Sequence, residues 1–172
     1  MRSLVLLLLV ALSACQSNHP LPATAGWRSA PGDLLVNFSG SFAGRKFQEE
    51  NLNAISIQGG ASYVVAPQHE IGGEIQVTTF DSDQRATFMS GRWSFLLERS
   101  QYGRPYGGVH MGLYDYELPE QEDSDVAFGF HFGLRHWMTP GIGLYVEPRF
   151  TASASVSETG LFFGIVLRLS PR

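Results

Sequence analysis

Eight ionisable residues of this 172-residue chain have the types and spacing to do chemistry together: Glu74, Arg92, His110, His131, Arg135, Glu147, Arg149 and Arg168. Carboxylates beside guanidinium groups form ion pairs, and imidazoles near neutral pH can pass or hold a proton. Even spacings recur among them. Glu147 and Arg149 lie two apart and His131 and Arg135 four apart, so on extended chain each set points to one face. Their immediate neighbours are large and apolar: Phe130 and Phe132 flank His131, and Val146 precedes Glu147. Such a set converges only if several strands surround one interior. There it would either neutralise itself as a plug of ion pairs or offer a gated or proton-conducting path.

Other chemistry finds less support. His110 and His131 share an inward parity with Glu74, but a zinc site wants three or four convergent ligands and no metal motif is present, so no metal or other cofactor is expected. For hydrolysis, His136 with Ser155 or Ser157 and Glu158 is the set that could be drawn as a Ser/His/acid arrangement. The expectation is that no catalytic residues are present. Glu117, Glu120, Glu122, Asp123 and Asp125 crowd the stretch Glu117 to Asp125 and read as an acidic surface loop, either simply solvated or able to meet a divalent cation or a basic partner.

The elements that must position these residues are β-strands. From Val126 to Leu134 large apolar residues alternate strictly with Ala127, Gly129, His131 and Gly133, a period of two with one apolar face. Met138-Thr139-Pro140-Gly141 supplies a turn, and Leu144, Val146 and Phe150 then alternate with Tyr145, Glu147 and Arg149. The same alternation recurs from Leu34 onward: Phe38 and Phe42, Ile55 and Ile57, Ile71 and Ile75, Met89 and Trp93, Val109 and Met111, Phe163 and Ile165 mark the other apolar faces. That makes eight strands of about ten residues, enough to cross a bilayer when tilted. An open edge in lipid would leave backbone groups unpaired, so the sheet should close. The fold class expected is all-β, an eight-stranded antiparallel up-and-down transmembrane β-barrel. Phe130 should face lipid and Gly129 the interior, with Gly129→Ala expected to be mild. The connections after the second, fourth and sixth strands read as turns. The remaining ones, Gly44 to Leu52 and Glu117 to Asp125 among them, read as polar loops.

Met1-Arg2-Ser3 followed by LVLLLLVALSA is a short positive segment and an apolar run too short to span a bilayer, hence an export signal over 1–14. Leu12-Ser13-Ala14-Cys15 resembles the bacterial lipobox, with Cys15 the lipidated residue; cleavage after Ala25 is the alternative. Residues 15–33 then form a flexible tether, 34–169 the barrel and 170–172 a tail. Trp27 is either an interfacial anchor or an ordinary packing residue. A net charge of −4 argues against a nucleic-acid partner, and a single cysteine excludes a disulfide within the chain.

The run from Leu34 to Leu169 resembles the small eight-stranded outer-membrane barrels of the OmpA, OmpX and opacity-protein kind, and GLRHWMTPGIGLYVEPRF resembles their sixth-to-seventh strand hairpin. Two departures stand out: the chain passes Leu169 to end Ser170-Pro171-Arg172 rather than on an aromatic residue, and a lipobox precedes the barrel. The resemblance implies a Gram-negative outer-membrane protein, monomeric, in contact with lipopolysaccharide and open to a surface or host partner through its loops. Two further readings compete: a membrane-embedded lipid-modifying enzyme of the lipid A deacylase or acyltransferase kind, and a soluble lipocalin-like carrier. The carrier would need the apolar face turned inward.

Overall fold

The structure, a computed structural model, describes residues 29–47, 50–80, 85–97, 103–118 and 121–169, with side chains at all of these except 43–47, 50–52, 116–118, 121–123 and 156. The proposed signal, Cys15, Trp27, Glu120 and the tail 170–172 lie outside the described residues. Eight strands follow in order: β1 Leu34–Phe47, β2 Glu50–Ala66, β3 His69–Phe80, β4 Arg85–Leu96, β5 Arg104–Leu118, β6 Gln121–Trp137, β7 Ile142–Ala152 and β8 Val156–Leu169. Each pairs antiparallel with its sequence neighbour, and β1 pairs with β8 from Leu34↔Leu169 to Phe47↔Val156, so the sheet is a closed barrel. No strand edge is left over along the shared length of the wall, which meets the demand of an apolar surrounding.

Alternation sorts the side chains as the sequence indicates. Phe42, Ile57, Phe128 and Phe130 are 78%, 66%, 58% and 53% exposed on the outer face, while inward-pointing Phe162 and Glu147 are 1% and 0% exposed. The outward position of Phe130 overturns the lipocalin reading, which requires that face to line a cavity.

Two segments expected to be loops are strands. Gly44 to Leu52 is the end of a hairpin whose register runs to Phe47↔Glu50, and most of Glu117 to Asp125 is paired, with Glu117↔Glu122 and Tyr114↔Asp125. The apolar alternation fades where a strand leaves an apolar surrounding, but backbone pairing does not depend on that surrounding and continues in water. At this upper end the connections cover only 48–49, 81–84, 119–120 and 153–155; at the lower end they cover 67–68, 97–103 and 138–141. The segments expected as polar loops are therefore largely strand, and the connections at the two ends do not differ in kind by length.

The end of the proposed tether is also ordered. Ala30-Pro31-Gly32-Asp33 is a β-turn: Asp33 N donates to Ala30 O at 3.0 Å, and Gly32 takes the positive φ of 96° that such a turn favours. Gly32 N and Asp33 O bond the backbone of Val64, which fastens the turn to β2.

Gly129 corrects another expectation. A Cβ there would fall well inside contact distance of both His110 Nε2 and the carbonyl oxygen of Phe150, and a backbone oxygen in a paired strand cannot withdraw. Gly129→Ala is thus expected to destabilise the barrel by about 1 to 3 kcal/mol, the usual cost of overpacking. Urea unfolding of the reconstituted protein, followed by tryptophan fluorescence, measures it.

Candidate functional site: the charged barrel interior

An eight-stranded barrel leaves an interior just wide enough for side chains to fill. Here they fill it in three tiers. The lower tier is an apolar cluster of Leu35, Val64, Trp137, Tyr145 and Val166, and the upper tier another of Ala54, Phe80, Ala86, Phe88, Tyr114 and Ala127. All the charged candidates lie between or at the margins of these clusters.

At the centre two carboxylates and two guanidinium groups close a four-membered ring. Arg92 bridges Glu74 at 3.0 Å and Glu147 at 2.8 Å; Arg149 bridges the same two at 2.6 and 2.5 Å. Further donors complete the carboxylates: Gln58 Nε2 at 2.7 Å and Ser90 Oγ at 3.2 Å on Glu74, and the Tyr106 hydroxyl at 2.8 Å on Glu147. Removing such ions from water costs several kcal/mol each, and the attraction offsets that cost only when geometry is good and the remaining lone pairs are met. Three strands, β3, β4 and β7, supply the charges of the ring, while β5 adds the phenol and β2 the amide of Gln58. The ring forms only in the closed barrel.

Below the ring, Arg135 makes a two-pronged contact with Glu70, 2.9 Å to Oε2 and 3.2 Å to Oε1, and Ser62 Oγ donates to the same carboxylate at 2.6 Å. Arg135 is therefore paired with Glu70 and not with Glu147. A cavity of about 10 Å³, room for one water, separates this pair from the ring. Arg168 lies lower still, with its guanidinium 3.7 Å from Asp33 and stacked 4.6 Å over Trp137. Arg149 likewise lies 4.6 Å over Phe162 and Arg135 5.2 Å over Tyr106, so inward aromatics support three of the arginines as cation–π platforms.

Beside the ring sit the two histidines. His131 Nε2 lies 2.9 Å from Ser94 Oγ, His110 Nε2 lies 2.9 Å from Thr151 Oγ1, and the two Nδ1 atoms face each other at 3.4 Å. Glu74 does not hydrogen-bond to either.

Sequence reasoning missed Glu70, Tyr106 and Glu158 as interior groups. Glu70 has the parity of Glu74 and Tyr106 that of His110; extending each alternation four residues toward the lower end would have found them. Glu158 accepts from Gln76 Nε2 at 2.7 Å and from the Tyr114 hydroxyl at 2.8 Å, inside the barrel. The hydrolytic set does not assemble: His136 is on the outer face near the lower end, whereas Glu158 is buried and Ser155 lies in the β7–β8 connection at the upper end. Of the acidic stretch, Asp125 accepts from Ser153 Oγ at 3.0 Å and from Ser155 N at 3.2 Å; Glu117, Glu122 and Asp123 lie on paired backbone near the β5–β6 hairpin end. Among the described residues no group of three or more His, Cys, Asp or Glu side chains is placed to hold a metal ion.

No family model matches the chain. No curated protein matches it in sequence either. Solved structures do match in shape. Neisserial surface protein A (NspA) aligns with a TM-score of 0.69 at 14% identity, over 80% of this chain and 99% of its own. OprG from Pseudomonas aeruginosa aligns at 0.57 and 8% identity, over 84% and 99%. Ail, the attachment invasion locus protein of Yersinia pestis, in complex with the heparin analogue sucrose octasulfate, aligns at 0.56 and 14% identity, over 80% and 99%. At such identities the likeness is one of fold, and that fold is the small eight-stranded outer-membrane barrel.

Proposed function

We propose that the protein is a monomeric barrel of the Gram-negative outer membrane, lipidated at Cys15, that conducts neither ions nor solutes and acts as a structural or surface-interaction protein through its upper hairpins. The observation that carries this reading is the interior itself: a closed ring of ion pairs between two apolar tiers, inside a wall whose outward side chains are apolar. With the terminal turn and the β2–β3, β4–β5 and β6–β7 connections in the periplasm, the β1–β2 and β5–β6 hairpins project outward. Recognition then rests on hairpin ends and not on long loops.

Charge narrows the partner. Ail is described in complex with a sulfated polyanion, but Glu117, Glu122, Asp123 and Asp125 bring negative charge to the β5–β6 hairpin end of this chain. A basic protein surface, or lipopolysaccharide phosphate reached through divalent cations, fits that end. The expected result in planar bilayers is no stable conductance from wild-type protein, together with retention in the membrane after carbonate washing. Large, long-lived channels would overturn the reading, as would release by carbonate. Lipidation predicts a mature mass that begins at Cys15 and carries acyl chains; a mass starting at a later residue without them refutes that element alone.

A further inference from the structure

The histidine pair is not used by the surface-interaction reading, and its geometry is specific. The ring centroids of His110 and His131 are 5.7 Å apart with planes inclined by 24°, and the Nδ1 atoms are 3.4 Å apart. The difference between the two separations is what two ring radii add when both Nδ1 atoms lie on the line joining the centroids. The imidazoles thus meet head-on, edge to edge, with their in-plane Nδ1 positions aimed at each other, and are not stacked face to face.

We propose that this pair is a two-coordinate site for a soft monovalent cation with a filled d shell, Cu(I), for which Ag(I) is a redox-stable probe. Zinc would want three or four convergent ligands, and the described residues supply none beyond the two rings. A d10 monovalent ion accepts two donors in line, and imidazole suits copper. The 3.4 Å gap is longer than an N–H···N bond of about 3 Å. It is shorter than the roughly 4 Å that two metal–nitrogen bonds of about 2 Å would span. Each ring therefore has to withdraw by only a few tenths of an ångström.

Proton positions agree. Without the ion, one Nδ1–H is donated to the other ring; the ring that gives it has a bare Nε2, which accepts from its hydroxyl, and the ring that accepts it donates its own Nε2–H. With the ion, both Nδ1 atoms are bare and both Nε2–H groups donate, to Thr151 Oγ1 and Ser94 Oγ, each already 2.9 Å away. One proton changes nitrogen within a ring. None is released, and the ion keeps its oxidation state. The adjoining ring of Glu74, Glu147, Arg92 and Arg149 carries two charges of each sign, so the ion adds a single charge to a balanced surrounding. Both histidines are buried, His110 beside the Phe88 ring at a centroid distance of 5.8 Å and His131 beside the Tyr106 ring at 6.2 Å, away from aqueous oxidants.

The test uses the whole chain carrying Cys15→Ser, His19→Gln, His69→Gln and His136→Gln, which leaves only the interior histidines. It is refolded in detergent without oxygen in the presence of Cu(I), and in parallel Ag(I). The expected result is one retained equivalent per folded barrel, a copper absorption edge and fine structure showing two nitrogen scatterers in line, and loss of that equivalent in His131→Gln. Folded protein that retains no ion overturns the proposal, as does an equivalent that survives His131→Gln or one bound through methionine sulfur. Should His131→Gln fail to give the heat-modifiable folded band, histidine ¹⁵N NMR of the unsubstituted pair decides. Nδ1 resonances of His110 and His131 that both shift with Ag(I) support the site, and unshifted ones refute it.

Discussion

Glu147→Gln is expected to lower the stability of the folded barrel by about 3 to 5 kcal/mol, because it removes one of two carboxylates that hold Arg92 and Arg149. The substitution keeps the volume of the side chain, and Tyr106 can still donate to an amide oxygen, so packing changes little. What changes is charge. Glu74 alone then faces two guanidinium groups, both buried, with an uncompensated positive charge in a medium of low dielectric. Urea unfolding in liposomes measures the loss. A companion variant separates charge from packing: Arg92→Gln with Glu147→Gln removes one cation and one anion and should cost less than the sum of the single changes, with a coupling between them of the order of 1 kcal/mol or more. A single variant as stable as wild type would mean that the ring is not held together by its charges. Planar-bilayer recordings of Glu147→Gln should show brief small openings where wild type shows none.

Phe130→Arg is the second large effect. Phe130 sits at the middle of β6 on the outer face, stacked at a centroid distance of 5.3 Å on Phe150 of β7. A guanidinium there would have to sit near the midplane of a bilayer, at a cost of about 2 to 4 kcal/mol. The same change at Thr79, outward near the upper end of β3, should be nearly neutral because a long side chain there reaches water. The pair of variants, compared by yield of heat-modifiable folded protein and by unfolding free energy, tests the membrane assignment without reference to any partner. Equal behaviour of the two would contradict it.

Which face of each strand is apolar was legible because strand geometry gives side chains a period of two and the two solvents are so different. Phe128, Phe130 and Phe132 against Gly129, His131 and Gly133 carry that signal without any neighbour. Pairing partners were not legible. That Arg135 meets Glu70, and Arg92 both Glu74 and Glu147, depends on the stagger between strands that closes the barrel, and stagger leaves no mark on the alternation of a single strand. Strand ends were legible only where the environment changes sharply. Near Arg45 and Glu122 the sequence loses its strict apolar alternation although the backbone stays paired, so strand reads as loop. Gly129 shows a third kind of blindness: its need for a bare Cα comes from His110 and Phe150, on strands β5 and β7, and not from its own strand.

The register Leu34↔Leu169 has a consequence for the order of events in time. The first strand has β2 as one neighbour and the last strand, β8, as the other, so the β1–β8 seam cannot form until β8 is in place. Each other seam can form between neighbours in sequence as soon as both are made. The closing seam joins the most distant segments, and contacts of that kind are the slow ones. Until it forms, two unpaired edges and an apolar outer face are displayed together, which is the state most prone to association with other chains. The rate at which β8 reaches β1 therefore sets how long those edges stay open before the barrel is sealed.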